Sequence, residues 1–170
     1  MSYKEINGDL IKLALDGVFD VIAHGCNCQA AMGAGIAPQM ANTFDADEID
    51  RAVHNDLNLT KNNRHSLLGD VISWRPFENG LKAPINLIVC NAYTQLSPGL
   101  PGVDGIPLDY VALQMCLRKM NYAFKGLTIG LPKIGCGLAG GNWEKVKAMI
   151  QSELSNCNVI VVNYEREKEK

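Results

Sequence analysis

Short apolar runs rich in β-branched residues alternate along the chain with longer stretches in which polar residues recur. The β-rich runs are residues 21–23, 70–74, 85–92, 127–131 and 158–164, with residues 3–6 as a further candidate. The helix-like stretches between them are residues 35–43, 47–55, 108–124 and 142–154. Because strands and helices bury side chains with different periods, this alternation predicts strands and helices in turn along one chain.

Two of the predicted strands are almost continuously apolar, at residues 85–90 and 159–162. Strands of this kind are typical of a sheet that is covered by helices on both faces, because neither face of such a strand meets water. We therefore predict an α/β fold with three layers, a sheet between two layers of helices.

The stretch at residues 108–124 has the pattern of an amphipathic helix. Its side chains Val111, Met115, Leu117 and Met120 fall broadly on one side and are expected to face the core.

Length and composition restrict the class of protein. A chain of 170 residues with 47% hydrophobic and 20% charged residues fits a single globular domain, which we place at residues 1–165, with a charged tail at 166–170. The net charge of −2, without a basic stripe, argues against a nucleic-acid partner. No apolar run is long enough for a membrane span and the N-terminus does not resemble a signal peptide, so we expect no membrane partner and a cytoplasmic protein. The six cysteines are expected to be thiols, not disulfides.

Three glycine-rich segments occur at residues 23–37, 97–105 and 134–141. In sheets of this class, ligands bind where loops leave the carboxyl ends of the strands. Glycine lets backbone N–H groups converge on an anion, and two such loops, around residues 33–35 and 135–137, suit a diphosphate. Taken alone, a Gly-x-Gly sequence is also typical of a tight strand-to-helix connection. The spacing matches neither a P-loop nor a dinucleotide-binding fingerprint.

Together and in order, these segments resemble macro domains, in particular the branch that includes ADP-ribose-1''-phosphate phosphatases. The motifs that carry the resemblance are residues 7–10 (NGDL), 23–29 (AHGCNCQ), 32–37 (MGAGIA), 131–138 (LPKIGCGL) and 161–164 (VVNY). The resemblance covers nearly the whole chain. It implies a central mixed sheet of about six strands, a site for ADP-ribose or a derivative, and no cofactor.

The resemblance also implies roles for individual residues. Asp9 matches the carboxylate that selects adenine, with the Leu10 backbone beside it, and Tyr164 matches the aromatic residue that flanks the adenine ring. Asn27 matches the asparagine that binds the distal ribose. The two loops that match those holding the diphosphate and ribose are Gly33, Ala34, Gly35, Ile36 and Ala37, and Ile134, Gly135, Cys136, Gly137 and Leu138. Simpler interpretations stay open: Asp9 as the cap of a helix at residues 10–15, Asn27 as a turn residue, and Tyr164 at a sheet edge.

His24 is the candidate catalytic residue, because a histidine can exchange a proton near neutral pH. Asp109 is held in reserve, together with Asp104, although a solvated loop and a helix N-cap are the favoured explanations of these two residues. The two remaining histidines, His54 and His65, lie among polar residues and are expected at the surface. No cysteine or histidine spacing indicates a metal site.

Related ADP-ribosyl hydrolases use a lysine and an acid, and neither is present here. The corresponding positions hold Thr94 or Gln95, and Ala139. Removal of phosphate from ADP-ribose-1''-phosphate, a hydrolase activity, is therefore the expected reaction. The alternatives are a non-catalytic module that sequesters ADP-ribose, a hydrolase without the lysine and acid pair, and a reader whose partner is an ADP-ribosylated protein. The expected oligomeric state is a monomer.

Overall fold

A computed structural model describes residues 1–76, 84–99 and 105–164 of the chain. The charged tail predicted at 166–170 and the reserve candidate Asp104 lie outside these residues. The described strands are β1 (Tyr3–Gly8), β2 (Val21–Asn27), β3 (Val71–Trp74), β4 (Ile88–Gln95), β5 (Thr128–Leu131) and β6 (Asn158–Tyr164). The described helices are α1 (Leu10–Leu15), α2 (Ala37–Phe44), α3 (Ala46–Asp56), α4 (Tyr110–Ala123) and α5 (Trp143–Glu153), with a 3-10 turn at Arg64–Leu67.

The strands form one mixed sheet in the order β1-β6-β5-β2-β4-β3. All neighbours pair in parallel except β3, which runs antiparallel to β4 at one edge. The central strand β2 pairs on both sides, so that Val21 lies opposite Ile88 of β4 and opposite Ile129 of β5. The predicted mixed sheet of about six strands is confirmed.

Alternate residues of the central strands enter two separate apolar clusters. Val21 and Ala23 pack with the buried side of α4 and α5, whereas Ile22 packs on the other face with residues of α1 and α2. Each fully buried aliphatic side chain contributes about 1.5–3 kcal/mol through the area removed from water. The sheet therefore lies between two helix layers, which confirms the predicted α/β/α sandwich.

The strands that lead to the cleft extend further than the sequence predicted. The β2 prediction ended at residue 23 and the β4 prediction at residue 92, but the pairing between these strands continues to Asn27 and Gln95. Most of the added residues are polar or glycine, such as Gly25, Asn27 and Gln95, and therefore lack an apolar pattern, yet the pairing between the strands continues through them. The carboxyl edge of the sheet therefore lies three or more residues beyond the predicted position.

The core-facing side of α4 also differs from its prediction. Leu117 and Met120 are buried as expected, but Val111 is 66% exposed and Met115 is 44% exposed. The other residues that α4 buries are Ala112, Leu113 and Cys116. The buried face of the helix is therefore turned away from Val111 and Met115.

All six cysteines are unpaired thiols, as predicted. Five are buried, and Cys136 is partly exposed. Within the three described ranges, no helix has the length and apolar character needed to cross a membrane.

Candidate functional site

Two adjoining cavities form a cleft at the carboxyl ends of β2, β5 and β6. The first has a volume of about 400 Å³ and the second about 330 Å³. Both are lined by Gly35, Ile36 and Pro132, so they meet side by side. Volumes in this range are typical of sites for small ligands.

The first cavity lies between the two predicted glycine loops. Residues 33–37 form one wall, and Ile134, Gly135, Gly137 and Leu138 form the other. Of the ten loop residues predicted to bind ligand, Cys136 is the exception, because it does not line this cavity. The loops therefore face one another across an open space, as two halves of a diphosphate cradle must.

The backbone of both loops is suited to an anion. Among the described residues, the N–H groups of Gly33, Ala34, Gly35 and Gly137 donate no hydrogen bond to another backbone group. A Cβ atom at Gly33, Gly35 or Gly137 would point into open space, with nothing within 4 Å. Gly35 also has φ of +64°, a conformation that favours glycine. Small residues thus keep these amides accessible to an anionic ligand.

Leu108 supports the second loop from behind. A Cβ atom at Gly135 would lie 2.7 Å from Leu108 Cδ1, and one at Gly141 would overlap Leu108 Cδ2. The Leu108 N–H donates to the carbonyl of Ala139 at 3.1 Å, and Leu108 also forms a bridge with Gln95. Both glycines are required because the Leu108 side chain fills the space behind them. Sequence reasoning missed this role, since Leu108 looked like the first residue of a helix.

The second cavity brings together the residues expected around adenine. It is lined by Asp9 and Leu10 at the end of β1, by Tyr164 at the end of β6, and by Gln39 and Val162. The Asp9 carboxylate can accept a hydrogen bond from an exocyclic amine, and the aromatic ring of Tyr164 can stack on a purine.

Asp9 serves a second purpose at the same place. Its Oδ1 accepts from the backbone N–H groups of Ile11 at 2.8 Å and Lys12 at 3.1 Å, and so caps α1. The capping interpretation is therefore correct, and the residue also lines the cavity. Both cap hydrogen bonds end on the same oxygen, so the cap does not require the other carboxylate oxygen.

Asn27 lines the first cavity, but its side chain organises the turn that follows β2. Its Oδ1 accepts from the N–H groups of Gln29 at 2.9 Å and Ala31 at 3.3 Å, and its Nδ2 donates to the Ala31 carbonyl at 2.7 Å. These contacts favour the interpretation of Asn27 as a turn residue that shapes the cavity wall.

His24 does not line either cavity. It is fully buried within β2, and its Nε2 donates to Asn91 Oδ1 at 2.8 Å, while Asn91 Nδ2 donates to the Ala46 carbonyl at the start of α3. Burial lowers the pKa of His24 to about 4, although the hydrogen bond to Asn91 opposes this shift. A neutral, enclosed ring does not support the proton-exchange role expected for His24.

Asp109 also lies outside both cavities. Its Oδ1 accepts from the N–H groups of Val111 at 2.8 Å and Ala112 at 2.9 Å, which makes it the N-cap of α4. This geometry supports the cap and not a catalytic role.

The charge of the first cavity is set by one side chain. Among the described residues that line it, Lys133 alone carries a formal charge. Its Nζ lies 5.4 Å from the centre of the Trp143 ring. Across the described residues, no group of three histidine, cysteine, aspartate or glutamate side chains could hold a metal ion.

His54 was expected at the surface, and this expectation is wrong. Its side chain is only 13% exposed, because α3 packs its ring against the turn after β2. Its Nε2 lies 3.1 Å from the Cys28 carbonyl oxygen. His65 is exposed, as expected.

Comparison with known proteins gives one clear relative. An uncharacterized 17.5 kDa protein from the tk–vs intergenic region of Enterobacteria phage T4 is 31% identical to this chain. The match covers 97% of this chain and 98% of the phage protein. The chain belongs to the same family as this phage protein. No family model matches the sequence.

Solved structures share the fold at lower identity. The macrodomain of Thermus aquaticus DarG matches 96% of this chain and 98% of its own, with a TM-score of 0.70 and 18% identity. Thermosipho africanus DarTG, solved in complex with ADP-ribose, matches all of this chain and 43% of its own, with a TM-score of 0.73 and 15% identity. The fold of this chain is therefore that of macrodomains.

Proposed function

We propose that the chain binds ADP-ribose along the cleft. The adenine ring would lie in the second cavity beside Asp9, the diphosphate between the two glycine loops, and the distal ribose toward Asn27. One observation carries this proposal. The two loops with accessible backbone N–H groups line the same cavity, and this cavity adjoins the second cavity, which Asp9 lines. The DarTG complex supports it, because a protein of the same fold holds this ligand.

The cleft supports binding better than catalysis. Hydrolysis of the phosphate in ADP-ribose-1''-phosphate, the activity expected from the resemblance, uses a group that activates water or protonates the leaving oxygen. His24 is enclosed away from the cavity, Asp109 caps a helix, and Lys133 carries the only formal charge among the described residues that line the first cavity. A module that binds and sequesters ADP-ribose is therefore the form of this function that we propose, with the phosphatase as the alternative.

Calorimetric titration of the purified protein with ADP-ribose tests the proposal, and Asp9→Asn makes the test specific. Asparagine caps a helix about as well as aspartate, but its amide NH₂ cannot accept from the adenine amine. Loss of a paired acceptor costs about 1–3 kcal/mol, which weakens binding by about 5- to 150-fold.

Asp109→Asn is the matched control, because Asp109 caps α4 with the same geometry and lines neither cavity. We expect equal effects of the two substitutions on stability and a loss of affinity only for Asp9→Asn. Absence of any ADP-ribose binding by the wild type rejects the proposal. Release of phosphate from ADP-ribose-1''-phosphate by the wild type favours the phosphatase instead.

A further inference from the structure

The turn that follows β2 forms one end of the first cavity. Asn27 and Ala31 both line the cavity, and the hydrogen bonds of the Asn27 side chain close the turn between them. Ala30, inside this turn, has φ of +55°. A non-glycine residue in the left-handed region costs free energy and persists only when its surroundings hold it there. The cavity wall therefore depends on whatever anchors this turn to the rest of the fold.

Cys28 provides that anchor through both of its backbone groups. Its N–H donates to the Gln95 carbonyl at 3.1 Å, which ties the turn to the end of β4. Its carbonyl oxygen lies 3.1 Å from His54 Nε2, which ties the turn to α3. The second of these contacts forms only when Nε2 carries a proton.

The other nitrogen of the His54 ring also faces acceptors. Nδ1 lies 2.9 Å from the Asp50 carbonyl oxygen and 3.3 Å from Asp50 Oδ1. A neutral imidazole donates from one nitrogen only, whereas the charged ring donates from both. The charged ring is therefore the form that satisfies all of the contacts seen here.

The carboxylate that faces the ring is buried. Asp50 is 1% exposed, its Oδ1 accepts from Tyr93 Oη at 2.5 Å, and its Oδ2 has no hydrogen-bond partner among the described residues. Burial raises the pKa of Asp50, and the nearby charge of Asp47 raises it further. The hydrogen bond from Tyr93 and the charges of His54 and Arg51 lower it. Protonation of the His54 ring gives this buried carboxylate a cationic partner 3.3 Å away.

The remaining titratable groups around the turn lie near Cys28. Burial, with smaller effects from Asp50 and Asp70, raises the pKa of its thiol to about 11, and Arg64 opposes the shift. The thiol therefore stays protonated near neutral pH. Among these groups, a histidine is the one that ordinarily changes charge between pH 5 and 8.

We infer that His54 is a positioning residue whose protonated ring joins Asp50 to the Cys28 carbonyl, fixes the wall of the first cavity, and strengthens ADP-ribose binding as the pH falls. The inference rests on the proposed function. Coupling of this kind is reciprocal, so bound ADP-ribose must in turn increase the proton occupancy of His54. The ligand does not obscure the effect, since its diphosphate stays ionised between pH 5.5 and 8.

Calorimetric titration with ADP-ribose from pH 8 to pH 5.5 tests the inference in the wild type and two variants. The wild type should bind about 2- to 10-fold more tightly at pH 5.5, the range that one hydrogen bond of ordinary strength provides. His54→Gln can still donate to the Cys28 carbonyl but does not titrate, so its affinity should not change with pH. His65→Gln removes an exposed histidine and should keep the wild-type slope.

The outcomes separate the two proposals. If the wild type binds ADP-ribose at no pH, the proposed function fails. If it binds and His54→Gln retains the wild-type slope, the role of His54 fails alone. Should His54→Gln not fold, NMR titration of the wild-type ring with and without ADP-ribose replaces it. An unchanged titration curve for His54 on adding ligand then overturns the inference.

Discussion

The enclosed His24 ring makes the protein sensitive to acid, and the size of the effect follows from its pKa. Burial lowers this pKa from 6.5 to about 4, so the folded state binds fewer protons than the unfolded state between those values. Stability is therefore fully present above pH 6.5 and is lost as the pH falls toward 4. For a fully buried group with these two pKa values, the loss is about 2–3 kcal/mol at a pH between 4.5 and 4.

Urea unfolding at pH 7 and pH 4.5, for the wild type and His24→Gln, isolates this contribution. Glutamine can donate to Asn91 Oδ1 in place of the ring but takes up no proton, so the variant should lose about 2–3 kcal/mol less between the two pH values. Other titrating groups are common to both proteins and cancel in the difference. Equal losses would refute the reasoning, and so would NMR signals of the His24 ring that titrate above pH 6.

Three further substitutions test the architecture of the site. Gly137→Val places a side chain in open space, so the free energy of unfolding should stay within about 1 kcal/mol of the wild type. Because this space is part of the first cavity, ADP-ribose affinity measured by calorimetry should fall at least about tenfold. Leu108→Ala empties the space behind Gly135 and should cost about 2–5 kcal/mol in urea unfolding. It should also weaken ADP-ribose binding, measured at 10 °C where the variant is folded. Unchanged affinity would contradict the supporting role of Leu108. Tyr93→Phe removes the hydroxyl that donates to Asp50 Oδ1 and should cost about 1.5–3 kcal/mol in urea unfolding at pH 7. Because burial raises the pKa of Asp50, this cost should fall as the pH is lowered, and a cost that does not depend on pH would argue against a charged Asp50.

Local signals in the sequence predicted the frame of the cleft well. The last strand, Asn158–Tyr164, has the predicted bounds, and the continuous apolar run at residues 159–162 lies inside it. The two glycine loops face one cavity, as expected from their positions after strands. Glycine spacing and apolar runs are properties of neighbouring residues, so one sequence is enough to read them.

The orientation of individual side chains could not be predicted in the same way. The predicted β2 ended just before His24, which made that histidine look like a residue at the ligand edge. Pairing with β4 carries the strand on to Asn27 and encloses His24 under α3. His54 was misjudged for a related reason, since its polar neighbours in sequence say nothing about the Cys28 carbonyl that its ring meets. Such contacts join residues that are 26 or more positions apart and follow only from the assembled sheet.

The order of the strands has a consequence for shortened forms of the chain. Asp9 follows β1, and within the described residues β1 joins the sheet through β6. The second cavity needs both strands, because Asp9 and Tyr164 line it from their neighbouring ends. A form of the chain that lacks β6 would keep both glycine loops but lose one wall of the second cavity, so we expect it to have lost the proposed adenine site.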